Sequence, residues 1–384
     1  MSWYAWLSVL ALAVAAIAVA LALANRRRLT ARPHAAVAGS PPGAPQHVDR
    51  PLVAFIANPS KPGVAELRDT AVQACATRYL PEPLWYETTE EDPGVGQAKQ
   101  AVEDGAQVVV VVGGDGTVRA VAEGLAGTEV AMGLLPQGTG NLLARNLDLP
   151  LGDVDELLRI ALTGTERRID VGWLTVERDE KDVSDPVSDL EPDAETPAHG
   201  AHEEARDHIF LVIGGLGFDA AMVADADEQL KAKVGWIAYF VAGIKHLHSR
   251  RMRLQVSLDE GPWYQLRLRS LMIGNCGRLP GGITLLPDAV LDDGWLDVGA
   301  VDTRAGLFGW TQLFGEVAMQ RFGVRTELPN KIGRIDHARA RTVRVRSREP
   351  QHVQVDGDII GRAYDLSTRV DHHALTVRVD SPSQ

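Results

Sequence analysis

Residues 107–125 read QVVVVVGGDGTVRAVAEGL. Five consecutive valines leave no polar face, and a short β-branched run bounded by glycines reads as a strand covered on both sides, as in a parallel sheet. It ends in two glycines, an aspartate, a third glycine and a threonine, then passes into a helix-like stretch. A strand-to-helix turn stripped of side chains lets backbone N–H groups approach an anion closely. A carboxylate in that turn repels phosphate unless a metal ion or a substrate hydroxyl lies between them. The turn is not the dinucleotide fingerprint, which needs a glycine where Arg119 stands, and no P-loop lysine follows.

The alternation extends to both sides. LVAFIA (52–57), PLWYET, VVVVV (108–112) and MGLLP (132–136) read as strands. Helices are expected from about Ala65, over roughly 94–104 and near Val118–Gly124. Continuous apolar strands alternating with helices predict an α/β domain with a parallel sheet over residues 51–165, with ligands at the carboxyl ends of its strands. Past about Arg168 strand-like runs dominate, from VGWLTV and HIFLVIGG through YQLRLRSLMIGN to RTVRVRS, HVQVDGD and ALTVRVD. They predict a mainly antiparallel β domain over 166–384, its extreme C-terminus packing back on the first. Two apolar segments of helical period, 234–247 and 305–322, interrupt it. The first, ending in KHLHSRRMR, suits a helix resting on anionic headgroups.

Three polar or glycine-rich turns therefore fall on one sheet edge: NPSKPG, GGDGTVRAVAEGL and LLPQGTGNLLARNL. In this order and spacing, and continuing through RRIDVG, IGGLGFDAAMV, GNCGRLPGGITLLPDAVLDDGWLDV and VQVDGD, they resemble the diacylglycerol kinase catalytic domain over essentially residues 50–380. That superfamily includes soluble bacterial diacylglycerol kinases and sphingosine and ceramide kinases, and NAD kinases share the GGDGT turn. The resemblance implies an NAD kinase/diacylglycerol kinase-like fold and an ATP- and Mg²⁺-dependent lipid kinase. It implies that Asn58, Ser60 and Thr88 or Thr89 line the nucleotide site. Gly113, Gly114, Asp115, Gly116 and Thr117 would hold the triphosphate and its Mg²⁺, and Gly138, Thr139 and Asn141 would complete the cradle. A structural Mg²⁺ is implied in DAVLDDGWLD, bound largely by backbone oxygens around Asp293 with Asp292, Val290 and Trp295. Turn chemistry alone would choose the same Asp-Asp-Gly. Asp219 is implied near the acceptor headgroup, or it caps the helix that follows.

Moving a γ-phosphoryl group to an alcohol needs positioning, charge neutralisation and a residue that accepts the hydroxyl proton. The family's usual base is the last carboxylate of an Asp-Gly-Glu turn. Here the turn is VQVDGDII, which puts Asp358 in that place, one methylene shorter. The reach falls by about 1.5 Å, against a working contact of roughly 2.6–3.2 Å. Asp115 is the competing base, by resemblance to the sphingosine kinase branch, while Asp356 fixes the turn. Position 142 is a second departure. Soluble bacterial relatives carry an aspartate after GTGN, joined in a carboxylate network to the aspartate of RRIDVG. Asp170 is present, but Leu142 takes the other place and breaks the pattern of a homodimer built around that network.

The N-terminus points to a membrane. Trp3–Ala24 is 22 uncharged residues, roughly 33 Å of helix. Trp3, Tyr4 and Trp6 stand at one end like an interfacial belt, and Arg26, Arg27 and Arg28 follow the other. The positive-inside rule then puts the rest of the chain in the cytoplasm, as a single-pass protein of the cell membrane. A cleaved secretory signal is the rival, but its charge would precede the apolar run. Residues 1–28 thus read as an anchor and 29–50 as a flexible linker. The net charge of −12 is mostly local: residues 177–207 carry twelve acidic against three basic residues, a disordered insertion by composition. The remainder, about −3, can approach an anionic bilayer, and the balance argues against nucleic acid. Two cysteines make no disulfide framework.

The expected activity is phosphorylation of a membrane lipid hydroxyl, diacylglycerol first, with a sphingoid base, ceramide or another membrane alcohol next. A non-catalytic nucleotide-responsive membrane protein and an NAD kinase are the readings from other classes.

Overall fold

The valine run forms β3 (Val108–Gly113), with every residue buried between two parallel neighbours. The computed structural model describes residues 50–179, 207–217, 251–279, 283–303 and 333–381. On one side of β3 lies β1 (Val53–Ala57), with Val53 opposite Val108 and Ala57 opposite Val112. On the other lies β4 (Ala131–Pro136), with Val108 opposite Ala131 and Gly113 opposite Pro136. The strand β2 (Leu84–Glu87) continues the parallel sheet beyond β1. Among the described residues five helices follow the strands: α1 (Val64–Thr77), α2 (Val95–Glu103), α3 (Asp115–Leu125), α4 (Leu142–Asn146) and α5 (Val154–Thr163). Helix α1 buries Val64, Leu67, Ala71 and Cys75, three or four residues apart on one face. It packs with α5, and α2 packs with α3, so the two pairs cover the sheet whose central strand has no exposed face. Asp153 starts α5 by accepting a hydrogen bond from Glu156 N at 3.0 Å.

The second half contributes β5 (Thr165–Asp179), β6 (Asp207–Phe210), β7 (Ile213–Gly217), β8 (Met252–Leu258), β9 (Tyr264–Leu268), β10 (Ser270–Gly274), β11 (Arg278–Leu279), β12 (Ile283–Thr284), β13 (Leu296–Thr303), β14 (Gly333–Ala340), β15 (Thr342–Val355) and β16 (Asp358–Val379). Its ladders are antiparallel. It is not a separate sheet. The end of β16 pairs in parallel with β4, Thr376 opposite Ala131 and Val377 opposite Met132, and among the described residues one fourteen-stranded sheet runs through both halves.

Other boundaries differ from the sequence reading. HIFLVIGG breaks into β6 and β7, because Leu211 and Val212 turn their N–H groups to the Asp356 carboxylate. YQLRLRSLMIGN breaks at Arg269, where the chain leaves β8 for β13 and β7. The acidic segment is strand at both ends: Arg178 pairs with Asp365, Asp179 with Ala363, and Asp207 opens β6. Its remainder, the N-terminal anchor, nearly all of the linker, Asp219 and the two apolar segments lie outside the described residues. Among the described residues no helix is long and apolar enough to cross a membrane.

The second core contains Leu174, Phe210, Leu254, Val343, Val345 and Leu366. Thr368 stands between Val343 and Leu174, 3% exposed, and its hydroxyl finds no hydrogen-bond partner among the described residues. Thr368→Val keeps the shape and removes a desolvated hydroxyl. It is expected to stabilise the protein by about 1 kcal/mol, read as a higher urea midpoint at unchanged slope.

Candidate active site

The parallel strands deliver three turns to one edge. Asn58 follows β1 and donates its N–H to Val112 O at 2.9 Å, and Gln137 follows β4 and donates to Gly113 O at 2.7 Å. The Asn58 side chain reaches Thr117 Oγ1 at 3.4 Å and accepts from Ser60 N and Oγ at 3.0 and 2.7 Å. Helix α3 begins at Asp115, earlier than its apolar period suggests, with Gly114 in an extended conformation before it and no side chain capping it. A helix N-terminus that follows such a side-chain-free residue is a ready anion site. Thr139 lies exposed on the rim, and exposed Thr89 accepts from Asp92 N at 3.0 Å.

Asp115 answers a different need from the one its sequence context suggests. Its Oδ2 accepts from Asn141 N at 2.8 Å and its Oδ1 from Leu142 N at 2.6 Å. The carboxylate thus staples the turn after β4 to the turn after β3. Asn141, in the left-handed region at φ 49°, completes that turn by bonding Gly138 O at 2.8 Å and Gly138 N at 3.0 Å. Burial pushes the Asp115 carboxyl above its ordinary pKa, opposed by the two N–H groups and reinforced by the charge of Asp358. Leu142 packs its side chain against the core, so position 142 serves Asp115 through its backbone.

The glycines separate into two kinds. A Cβ on Gly138 would lie 3.0 Å from Gly114 Cα, and one on Gly140 2.6 Å from Asp115 Oδ2, so these two glycines are required by the protein's own packing. A Cβ on Gly114 would meet nothing closer than Gly138 Cα at 3.6 Å and Lys61 Cε at 3.8 Å, and one on Gly116 nothing closer than Asp358 Oδ2 at 3.6 Å. Neither has a positive φ. Packing leaves both unexplained, whereas a triphosphate laid along the turn would fill that space. Lys61, from the quoted NPSKPG, supplies a cation beside it. The residues fit a nucleotide.

Across the turn stands the end of the second half. Asp356, at φ 48°, retains some surface but turns its carboxylate under the N–H groups of Leu211, Val212 and Ile213 at 2.7, 2.9 and 3.0 Å. This anchors the turn that carries Asp358. Arg119 donates to Asp358 Oδ2 at 2.7 Å and to Val355 O at 2.8 Å. Burial pushes Asp356 up to about 6, against the pull of its N–H partners and Arg119. An unfolded aspartate titrates near 3.9, so between these values the folded chain holds a proton that the unfolded chain has lost. Stability contributed here is therefore present at low pH and lost as pH rises from about 4 to about 6. Relative to Asp356→Asn, the wild type is expected to lose at most about 1.4 kcal/mol per pH unit across that window, measured by urea unfolding at several pH values.

The acidic loop before β13 is differently arranged. Asp292 is held by Arg167 at 2.9 Å, and Asp293 by Arg339 and by Trp295 N. Val290 is exposed, and Leu291 O already accepts from Asp170 N at 2.7 Å. With both carboxylates taken by arginines, the side chains here do not form the donor set of a resident ion. Asp170, fully buried, shares a 2.7 Å hydrogen bond with His372 Nδ1 and accepts from His373 N at 2.8 Å and Gly294 N at 2.6 Å. Histidine and backbone thus occupy the carboxylate that the resemblance joins to position 142.

A family model described as the diacylglycerol kinase catalytic domain matches residues 53–174, and one described as the YegS C-terminal NAD kinase beta sandwich-like domain matches residues 213–379. A protein of Xanthomonas euvesicatoria pv. vesicatoria named "Probable lipid kinase YegS-like" is 31% identical over 254 residues, 63% of this chain and 73% of the relative. The chain belongs to the diacylglycerol kinase catalytic-domain family. A Pseudomonas aeruginosa relative with the same name is 29% identical over 293 residues, 73% of this chain and 83% of the relative. The crystal structure of a diacylglycerol kinase from Bacillus anthracis str. Sterne superposes with a TM-score of 0.61 at 20% identity, covering 86% of this chain and 97% of that one, and shares its fold. The protein is a lipid kinase, and its family's reaction takes ATP and a divalent metal ion. The non-catalytic and NAD kinase readings lose their support.

Proposed function

We propose that this lipid kinase transfers the γ-phosphoryl group of Mg²⁺-ATP to the hydroxyl of diacylglycerol, giving phosphatidic acid, with Asp358 accepting the hydroxyl proton. One observation supports this above the others. The carboxylate of Asp358 lies 3.6 Å from the Cβ position of Gly116, at the mouth of a turn whose open glycines have no packing reason to be glycine. Donor phosphoryl and proton acceptor thereby meet on one rim. Asp115, with both oxygens engaged by backbone N–H groups, suits positioning better than proton transfer. Mg²⁺ enters with the nucleotide, as substrate, and neutralises charge between the phosphates. The apolar Trp3–Ala24 stretch, followed by three arginines, supports a single-pass tether that holds the site at the cytoplasmic face of the bilayer, where the acceptor resides.

The test is transfer from radiolabelled ATP to mixed micelles of diacylglycerol, sphingosine or ceramide, with Gly114→Ala alongside. The wild type is expected to label diacylglycerol most. Gly114→Ala is expected to fold with its stability changed by less than about 0.5 kcal/mol yet to transfer no label. Preferential labelling of sphingosine or ceramide would move the acceptor. Undiminished transfer by Gly114→Ala would remove the phosphate cradle from this turn.

A further inference from the structure

We propose that Arg119 is the positioning residue for the base, taking up in this chain the reach that aspartate lacks at position 358. This rests on the reading of Asp358 as base.

The backbone around Asp358 is rigid. Asp356 holds three N–H groups, Gly357 N donates to Gln354 Oε1 at 2.8 Å, and Gly357 takes the left-handed φ of 91° that the turn requires. The Asp358 side chain is not so constrained. It is 58% exposed at the start of β16, where an unpartnered carboxylate would sample its rotamers in water. Its hydrogen bond to Arg119 Nη2 at 2.7 Å selects one of them. Arg119 is itself fixed, 19% exposed, because Nη1 is spent on Val355 O at 2.8 Å. A planar guanidinium held by one N–H delivers the next at a defined point, a geometry that lysine cannot reproduce.

The pair also joins the two reacting partners. Arg119 is one helical turn beyond Asp115 on α3, the helix that carries the phosphate turn, and it grips the strand end that carries the base. It draws Oδ2 toward Gly116 and leaves Oδ1 with no protein donor among the described residues, open to a hydroxyl. Ion pairs this exposed contribute little stability, so the consequence belongs in kinetics.

The experiment compares kcat and KM for ATP, with diacylglycerol micelles, across Arg119→Gln, Arg119→Lys, Asp358→Asn, the Arg119→Gln/Asp358→Asn double variant and Arg119→Gln/Asp358→Glu. Arg119→Gln is expected to lower kcat by about 10- to 100-fold, as a misplaced reacting group does, with KM for ATP within about threefold. Arg119→Lys, which keeps the charge and the stem, is expected not to restore it. The losses from Arg119→Gln and Asp358→Asn are expected not to multiply. Asp358→Glu is expected to recover turnover in the Arg119→Gln background, because glutamate reaches unaided. A large rise in KM for ATP with kcat retained, or losses that multiply, would make Arg119 a phosphate ligand and overturn the proposal. So would full turnover of Arg119→Gln beside an inactive Asp358→Asn. Wild-type turnover in Asp358→Asn would instead overturn the assignment of the base, whatever Arg119 does.

Discussion

Asp358→Asn is expected to reduce phosphoryl transfer by about 10²- to 10⁴-fold, the range removed with a general base, while ATP binds with unchanged affinity. The change replaces one oxygen by an amide on a side chain that is mostly in solvent, and its ion pair with Arg119 is worth under about 1 kcal/mol. The fold therefore has no reason to respond. Steady-state kinetics beside calorimetric titration with ATP separates the two quantities. Turnover within fivefold of wild type would shift proton transfer elsewhere. The nearest alternative, Asp115, already accepts a backbone N–H on each oxygen, which opposes its taking a proton.

Asp115→Ala is the opposite kind of change. It is expected to cost about 2–4 kcal/mol, since two backbone donors lose a charged acceptor and stand partly desolvated. KM for ATP is expected to rise at least about tenfold, because the turn after β4 loses its hold on the turn after β3 and the cradle opens. The diagnostic feature is the coupling: binding and stability fall together, whereas Asp358→Asn moves neither. A variant with normal urea midpoint and normal ATP affinity would show that the two turns hold their places without the staple.

Five buried valines ending in glycines announced the parallel sheet and its phosphate edge, because a short β-branched run bounded by glycines suits a buried strand and no other residue lets a ligand approach the backbone so closely. Asp115 was legible as a carboxylate needing a reason, but the reason lies in N–H groups 26 and 27 positions later. Arg119 was hidden by the helix boundary. With α3 taken to begin near Val118 it is an ordinary first-turn cation, whereas a start at Asp115 puts the two residues four apart on one face. Lys61 lay inside a quoted motif, yet only its approach to Gly114 distinguishes it from a surface lysine. His372 and His373 sit in a strand with nothing local to mark them, and their meaning comes from Asp170, more than 200 positions earlier. That the C-terminus packs back on the first half was legible, but the strand it joins was not, for the same reason. ALTVRVD reads like any other strand, and its partner Ala131 is 245 positions from Thr376.

That join has a consequence for how the protein is made. Until Thr376 and Val377 arrive, β4 has a bare edge, with its hydrogen-bonding groups unanswered on one side. On the ribosome these residues follow β4 by about 240 positions, so the sheet of the nucleotide half is not complete when its own strands have been made. At roughly 5–20 residues per second, an adhesive strand edge waits for on the order of ten seconds or more during every round of synthesis. A protein built in this way closes the edge of its parallel sheet with the same strand that carries Asp358. A nascent chain that stops short of β16 lacks Asp358 and leaves the β4 edge open.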